Sequence, residues 1–119
     1  GIDYVKANQE FISFKEDCAS MWDSFDILIG PTERITAPTI KDASENKDGK
    51  TQIPTLSSLV NFFNITGSPS LTVPCGFTSK GMPVGMQIAA SEFNDPLVLR
   101  VAQAYENATK WHMLQPSIL

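Results

Sequence analysis

Few residues in this 119-residue chain could do chemistry, and none has the neighbours that its chemistry requires. A serine nucleophile needs an adjacent base to take its proton. The single histidine, His112, falls near the end of the last helical segment. There it reads as a helix-end group facing terminal carbonyls rather than as a base. Gly67-Ser68-Pro69-Ser70 approaches a nucleophile elbow but lacks its second glycine. Ser44-Glu45-Asn46-Lys47 has the Ser-x-x-Lys spacing, which works only at a helix start in a buried pocket. Here it lies in the most polar stretch of the chain, and the match reads as coincidence. Cys18 and Cys75 are far apart and the carboxylates are dispersed, so no metal-ligand cluster can be named. There is no glycine-rich phosphate loop. Neither a metal nor a cofactor is expected, and the residues alone supply no complete catalytic constellation.

Composition narrows the classes further. Hydrophobic residues make up 42% and charged residues 18%, which is enough apolar material for a core and argues against wholesale disorder. The net charge is −4 with nine scattered Lys and Arg, so the basic stripe that would neutralise nucleic-acid phosphates is missing. No apolar run approaches the roughly 18 residues of a membrane span, and no basic amphipathic face suits a bilayer surface. The first residues do not read as a signal peptide. The two cysteines read as buried free thiols of a reducing compartment, and a cytoplasmic location is the expectation. Sequons at Asn64-Ile65-Thr66 and Asn107-Ala108-Thr109 are short enough to arise by chance.

Hydrophobic periodicity gives three helices and three strands, an α/β layer in one domain spanning 1–119. Phe11, Phe14, Cys18, Met21 or Trp22 and Phe25 form one stripe of a helix over the first 25 residues. Asp26 to Ile29 reads as a short buried strand stopped by Gly30-Pro31. Residues 33–53 are polar, aperiodic and read as a mobile loop. A helix from about Thr55 to Phe63 would be capped by Thr55 or Ser57. Ser70 to Val73 and Val84 to Ala90 are strands, joined through Gly81 as a candidate hairpin. Asn94-Asp95-Pro96 starts the last helix with Asp95 as its cap, and Leu97, Val101, Ala104 or Tyr105, Ala108 and Trp111 carry its stripe. Pro116 lies just past it.

Four motifs in order carry a family resemblance. They are Phe25 to Thr32, Asn64 to Gly76 (with Asn64, Gly67, Pro69, Val73, Pro74 and Gly76 at fixed spacing), Gly81-Met82-Pro83-Val84-Gly85-Met86-Gln87-Ile88, and the helix Leu97 to Glu106 with its Thr109-x-Trp111-His112 ending. Together they resemble the closing segment of an amidase-signature hydrolase, over nearly all of the chain except the loop at 33–53. The resemblance implies an α/β/α sandwich with a mixed β-sheet, of which this chain is the C-terminal portion. It also implies hydrolysis of carboxylic amides by a Ser nucleophile, a second Ser in a cis peptide and a Lys base, all upstream of this chain. None of those positions exists here, so the chain by itself is expected to be inactive.

What the resemblance can pass on is pocket wall: Pro31 and Thr32 at a strand end near the substrate channel, and Asn64 and Gly67 at a helix-to-strand turn. Gly67, Pro69, Pro74 and Gly76 equally suit backbone geometry. The A subunits of tRNA-dependent amidotransferases carry an acidic residue seven positions before the motif's Asn, where this chain has Ser57, which favours a general amide hydrolase. The implied partners are a small amide substrate and the rest of the amidase domain, in cis or in trans, with a homodimer as a further expectation. The alternatives are a non-catalytic truncated interaction module and an A subunit of a tRNA-dependent amidotransferase. An exposed apolar sheet face or edge is expected in the isolated chain.

Overall fold

The computed structural model describes residues 1–45 and 59–115. Helix α1 runs over Ile2–Ala19 and tightens into a 3₁₀ turn at Ser20–Asp23, rather than continuing to Phe25 as a regular α-helix. The strand β1 (Leu28–Pro31) follows, two residues later than the apolar run suggested. Helix α2 (Ile40–Glu45) lies inside the segment read as a loop; Thr39 caps it, accepting from the Asp42 N–H at 3.1 Å and donating to the Asp42 carboxylate at 2.6 Å. This reciprocal pair was legible as Thr-x-x-Asp in the sequence. The remainder of that segment, 46–53, lies outside the described residues, as do Ser57 and the expected caps of the next helix.

That helix, α3, spans Asn61–Thr66 and stops at Gly67, whose φ of 76° is the left-handed helix end that glycine adopts at least cost. Strand β2 (Ser70–Phe77) is longer than expected and pairs antiparallel with β3 (Pro83–Ala89) in the anticipated hairpin. The turn closes through hydrogen bonds from the Thr78 N–H to Met82 O and from the Gly81 N–H to Thr78 O, both 2.9 Å, with Gly81 at φ 76°. β1 pairs antiparallel with the other side of β3, giving the order β1-β3-β2. All three strands are therefore antiparallel, with β3 central and β1 and β2 at the edges among the described residues. Edge placement explains how Pro31 and Pro74, which have no N–H to donate, sit inside strands. At Cys75 a register shift between Pro74 and Gly76 bulges β2.

Helix α4 (Asp95–Ala108) packs across β2 and β3. Its cap is Asn94, one residue earlier than expected, with Asp95 and Pro96 in the first turn. Val98 and Ala102 are its buried positions, flanked by half-buried Leu97, Val101 and Tyr105, so the stripe is rotated from the expected one; Ala104 and Ala108 face outward. Under it lies the main core of Val73, Ile88 and Ala90, with Ile88 fully buried. Directly opposed residues share a sheet face, so the pairs Leu71–Ile88 and Val73–Met86 define the α4 side.

The apolar stripe of α1 is only partly covered. Phe14 meets Phe62 of α3 edge to face at 6.3 Å, and no α1 residue is fully buried. Phe11 and Phe14 remain 45% and 43% exposed, on a helix rather than on the sheet. Cys18 and Cys75 are unpaired and half-buried rather than buried, with the Cys75 thiol donating to Val84 O at 3.5 Å.

Candidate functional site

The sheet face away from α4 has a different chemistry. The pairs Ser70–Ala89, Thr72–Gln87, Gly30–Gln87 and Leu28–Ala89 place Ser70, Thr72 and Gln87 side by side on it. Period-two alternation produces this arrangement: in Ser70-Leu71-Thr72-Val73 the apolar residues turn to α4 and the hydroxyls turn away. Gln87 is only 5% exposed, and its Nε2 donates to Ser70 Oγ at 3.2 Å. One strand step further, the Thr32 and Thr72 hydroxyls meet at 3.1 Å, and either can donate. Thr32 is fixed there by its backbone N–H, which donates to Gly85 O at 3.1 Å.

Two cavities open along this face. One, of about 380 Å³, lies between the sheet and α3, lined by Met21, Leu28, Gly30, Pro31, Phe62 and Gln87 among others. The other, of about 390 Å³, is lined by Thr32, Arg34, Thr72, Thr78 and Gly85 among others. Pro31 thus belongs to the first cavity and Thr32, the next residue, to the second. Asn64 and Gly67 line neither. Asn64 is exposed and its backbone N–H donates to Val60 O at 3.3 Å. Gly67 ends α3, its N–H donating to Phe63 O at 2.9 Å. The structure does not bring the four sequence candidates to one place: the strand-end pair sits by the cavities and the turn pair does not.

Sequence reasoning passed over Thr72, Gly85 and Gln87. The signal available was a lone amide inside the apolar run Met86-Gln87-Ile88-Ala89, a residue that must find partners if buried. His112 sits exposed in a 3₁₀ turn at Trp111–Met113 and lines neither cavity. Ser44 is spent on its own helix, donating to Lys41 O at 2.8 Å. Among the described residues there is no group of three or more His, Cys, Asp or Glu placed to hold a metal, and no helix long and apolar enough to cross a membrane.

The family model described as Amidase matches residues 2–99. The chain belongs to the amidase family. Relatives include the A subunit of the glutamyl-tRNA(Gln) amidotransferase of Microcystis aeruginosa, 36% identical over 115 residues, which are 96% of this chain and 23% of that protein. Among solved structures, 6-aminohexanoate cyclic dimer hydrolase superposes with a TM-score of 0.84 at 26% identity, over 98% of this chain and 26% of that one. The A subunit of the Thermotoga maritima glutamyl-tRNA(Gln) amidotransferase gives 0.69 at 25% identity, covering 95% of this chain and 24% of that one. The chain spans about a quarter of the length of these relatives, and both a hydrolase and an amidotransferase are among them.

Proposed function

We propose that this chain forms the C-terminal wall of the active site in an amide-hydrolysing enzyme. The observation that carries this reading is the hydrogen-bonding sheet face: Ser70, Gln87, Thr72 and Thr32 lie in a row on the side left open by α4, beside two cavities, in a chain of the amidase family. A row of hydroxyl and amide groups with an apolar flank suits a neutral amide substrate, which offers one carbonyl acceptor and N–H donors. Pro31 and Thr32 are the strand-end residues of this wall. Gly67 supports it by ending α3 at the turn that leads into β2, and Asn64 lies exposed in the α3 turn before it. The nucleophile Ser, the cis Ser and the Lys base belong to the preceding part of the domain, supplied in cis or in trans. We place the enzyme in the cytoplasm, with a small amide as substrate and a homodimer as an accessible assembly.

The test is amide turnover, read as acid and ammonia released from a panel of small carboxamides. The chain alone is expected to be silent, and the chain joined to or mixed with an upstream Ser-Ser-Lys segment active. Turnover by the chain alone, or silence of the completed domain towards every amide, overturns the reading.

The amidotransferase name of the Microcystis aeruginosa relative favours a second reading, a component of a tRNA-linked amidotransferase. Its test is retention of tRNA by the completed protein in a gel-shift at physiological salt. The acidic balance of this segment and Ser57 both weigh for the hydrolase. A stand-alone interaction module would instead fold cooperatively and capture another protein with no amide turnover in any assembly.

A further inference from the structure

We infer that the cavity between α3 and the sheet is a binding pocket for aromatic or branched carboxamides, and that Gln87 is the residue that reads the ligand's amide. The inference rests on the amide-hydrolase reading for its place in a reaction, and on the cavity itself for the binding.

The volume, about 380 Å³, falls within the range of small-molecule sites. The lining is apolar, from Met21, Leu28, Pro31, Phe62 and Phe63, with the Phe62 and Phe63 rings edge to face at 5.2 Å. Such a wall favours a flat or branched apolar group, because it offers ring edges and thioether surface and almost no competing polar atoms.

The exception is Gln87. A side-chain amide brings two N–H donors and a carbonyl with two lone pairs. One N–H is used on Ser70 Oγ. The second N–H and the carbonyl oxygen have no partner among the described residues, although the residue is only 5% exposed. Buried polar groups of this kind are nearly always satisfied. A ligand carboxamide supplies the matching donor and acceptor together, so amide can pair with amide at the floor of an otherwise apolar cavity. A carboxylate would match only the N–H and would set its charge against the Gln87 carbonyl in an apolar surround. The pocket therefore distinguishes an amide substrate from its acid product.

Gly30 keeps the floor open. It is the cross-strand neighbour of Gln87, and a Cβ built on it meets nothing within 4 Å. Gly30→Val therefore puts its branched side chain into the cavity from a position whose Cβ has room, while Gln87→Leu removes the amide and keeps the volume.

The probe is benzamide, titrated into the full 119-residue chain and followed by the Gln87 side-chain NH₂ resonances and backbone amide shifts, with benzoate as the comparison. Circular dichroism confirms that each variant is folded. Benzamide is expected to shift the Gln87 resonances, to bind at least about tenfold more tightly than benzoate, and to lose at least about tenfold in both variants. Absence of benzamide binding, equal binding of benzoate, or unchanged binding in folded Gln87→Leu or Gly30→Val overturns the inference. If either variant fails to fold, the wild-type shifts and the other variant decide. Because no turnover is read, a completed enzyme that hydrolyses small amides while this chain ignores benzamide would refute the pocket and leave the amide-hydrolase reading standing.

Discussion

Thr32 and Thr72 touch through their hydroxyls at 3.1 Å although their strands are not neighbours. β3 runs between them, and the residue beneath the contact is Gly85. A Cβ on Gly85 would lie 2.9 Å from Thr72 Cγ2 and 3.0 Å from Thr32 Oγ1. The missing side chain of the central strand is thus what lets the two edge strands meet above it. Close approach, not a turn, explains this glycine.

Gly85→Ala should accordingly destabilise the protein by about 1–3 kcal/mol, the range for overpacking a fitted site. Thr72→Ser removes the clashing methyl and keeps the hydroxyl. Thermal unfolding should show a lowered Tm in Gly85→Ala and partial recovery in the double variant. Equal Tm values for single and double variants would locate the strain elsewhere.

Gly67 is required for another reason. Its φ of 76° is unfavourable for any residue with a Cβ, and that Cβ would also stand 3.1 Å from Glu92 Oε1. Gly67→Ala is expected to lower stability by about 1–2 kcal/mol from the backbone alone. Because Glu92 is a flexible side chain facing Lys15 at 3.7 Å, adding Glu92→Ala should relieve little. Asn64→Ala, at an exposed position, should stay within about 0.5 kcal/mol. Chemical denaturation of the three variants separates the two members of the turn motif. A large loss for Asn64→Ala would show a supporting role for its side chain.

Much of this architecture is written in local patterns. Alternation in Ser70-Leu71-Thr72-Val73, the break at Gly81 and the Asn94-Asp95-Pro96 start each declare an element through chemistry contained within a few residues. The strand order β1-β3-β2 is not local: nothing in Leu28–Pro31 says that it will pair with β3. For the same reason the site was only half legible. Pro31 and Thr32 could be placed at a strand end, but the meeting of Thr32 with Thr72 depends on pairings across 40 residues of chain. The cavity over Gln87 likewise needs α3 to lie against the sheet. Edges and rotations were missed where tertiary contacts overrule propensity, as in α4, where packing on Ile88 selects Val98 and Ala102 rather than Ala104 and Ala108.

Ile88 and Ile29 face each other across β3 and β1, yet their surroundings differ completely. Ile88 is fully buried and Ile29 is 55% exposed. Ile88→Ala should cost about 2–5 kcal/mol through lost burial and a residual cavity. That is a large share of a typical domain's stability of about 5–15 kcal/mol. Ile29→Ala should cost about 0.5 kcal/mol or less. Both lie on the α4 side of the sheet, so urea midpoints of the two variants test whether the core under α4 stops short of β1; similar losses would mean that β1 is buried by something further.

Helix α1 presents two apolar stripes. One, with Phe14 and Cys18, turns towards α3 and is anchored by the Phe14–Phe62 ring contact. The other carries Val5 and Ile12, one above the other two turns apart and 54% and 48% exposed, with Ile2 at its start. Apolar groups on a helix surface stabilise little until something covers them. In this chain by itself, Val5→Ser with Ile12→Ser should leave the unfolding midpoint nearly unchanged and reduce binding of an apolar dye such as ANS. If the stripe is the seam, the same pair in the completed domain should lower stability by about 2–4 kcal/mol, because each change then removes a buried aliphatic group. Opposite behaviour in the two contexts identifies the stripe as the seam with the preceding part of the domain. A small effect in both would leave the stripe facing solvent in the whole protein and would move the seam to the β1 edge.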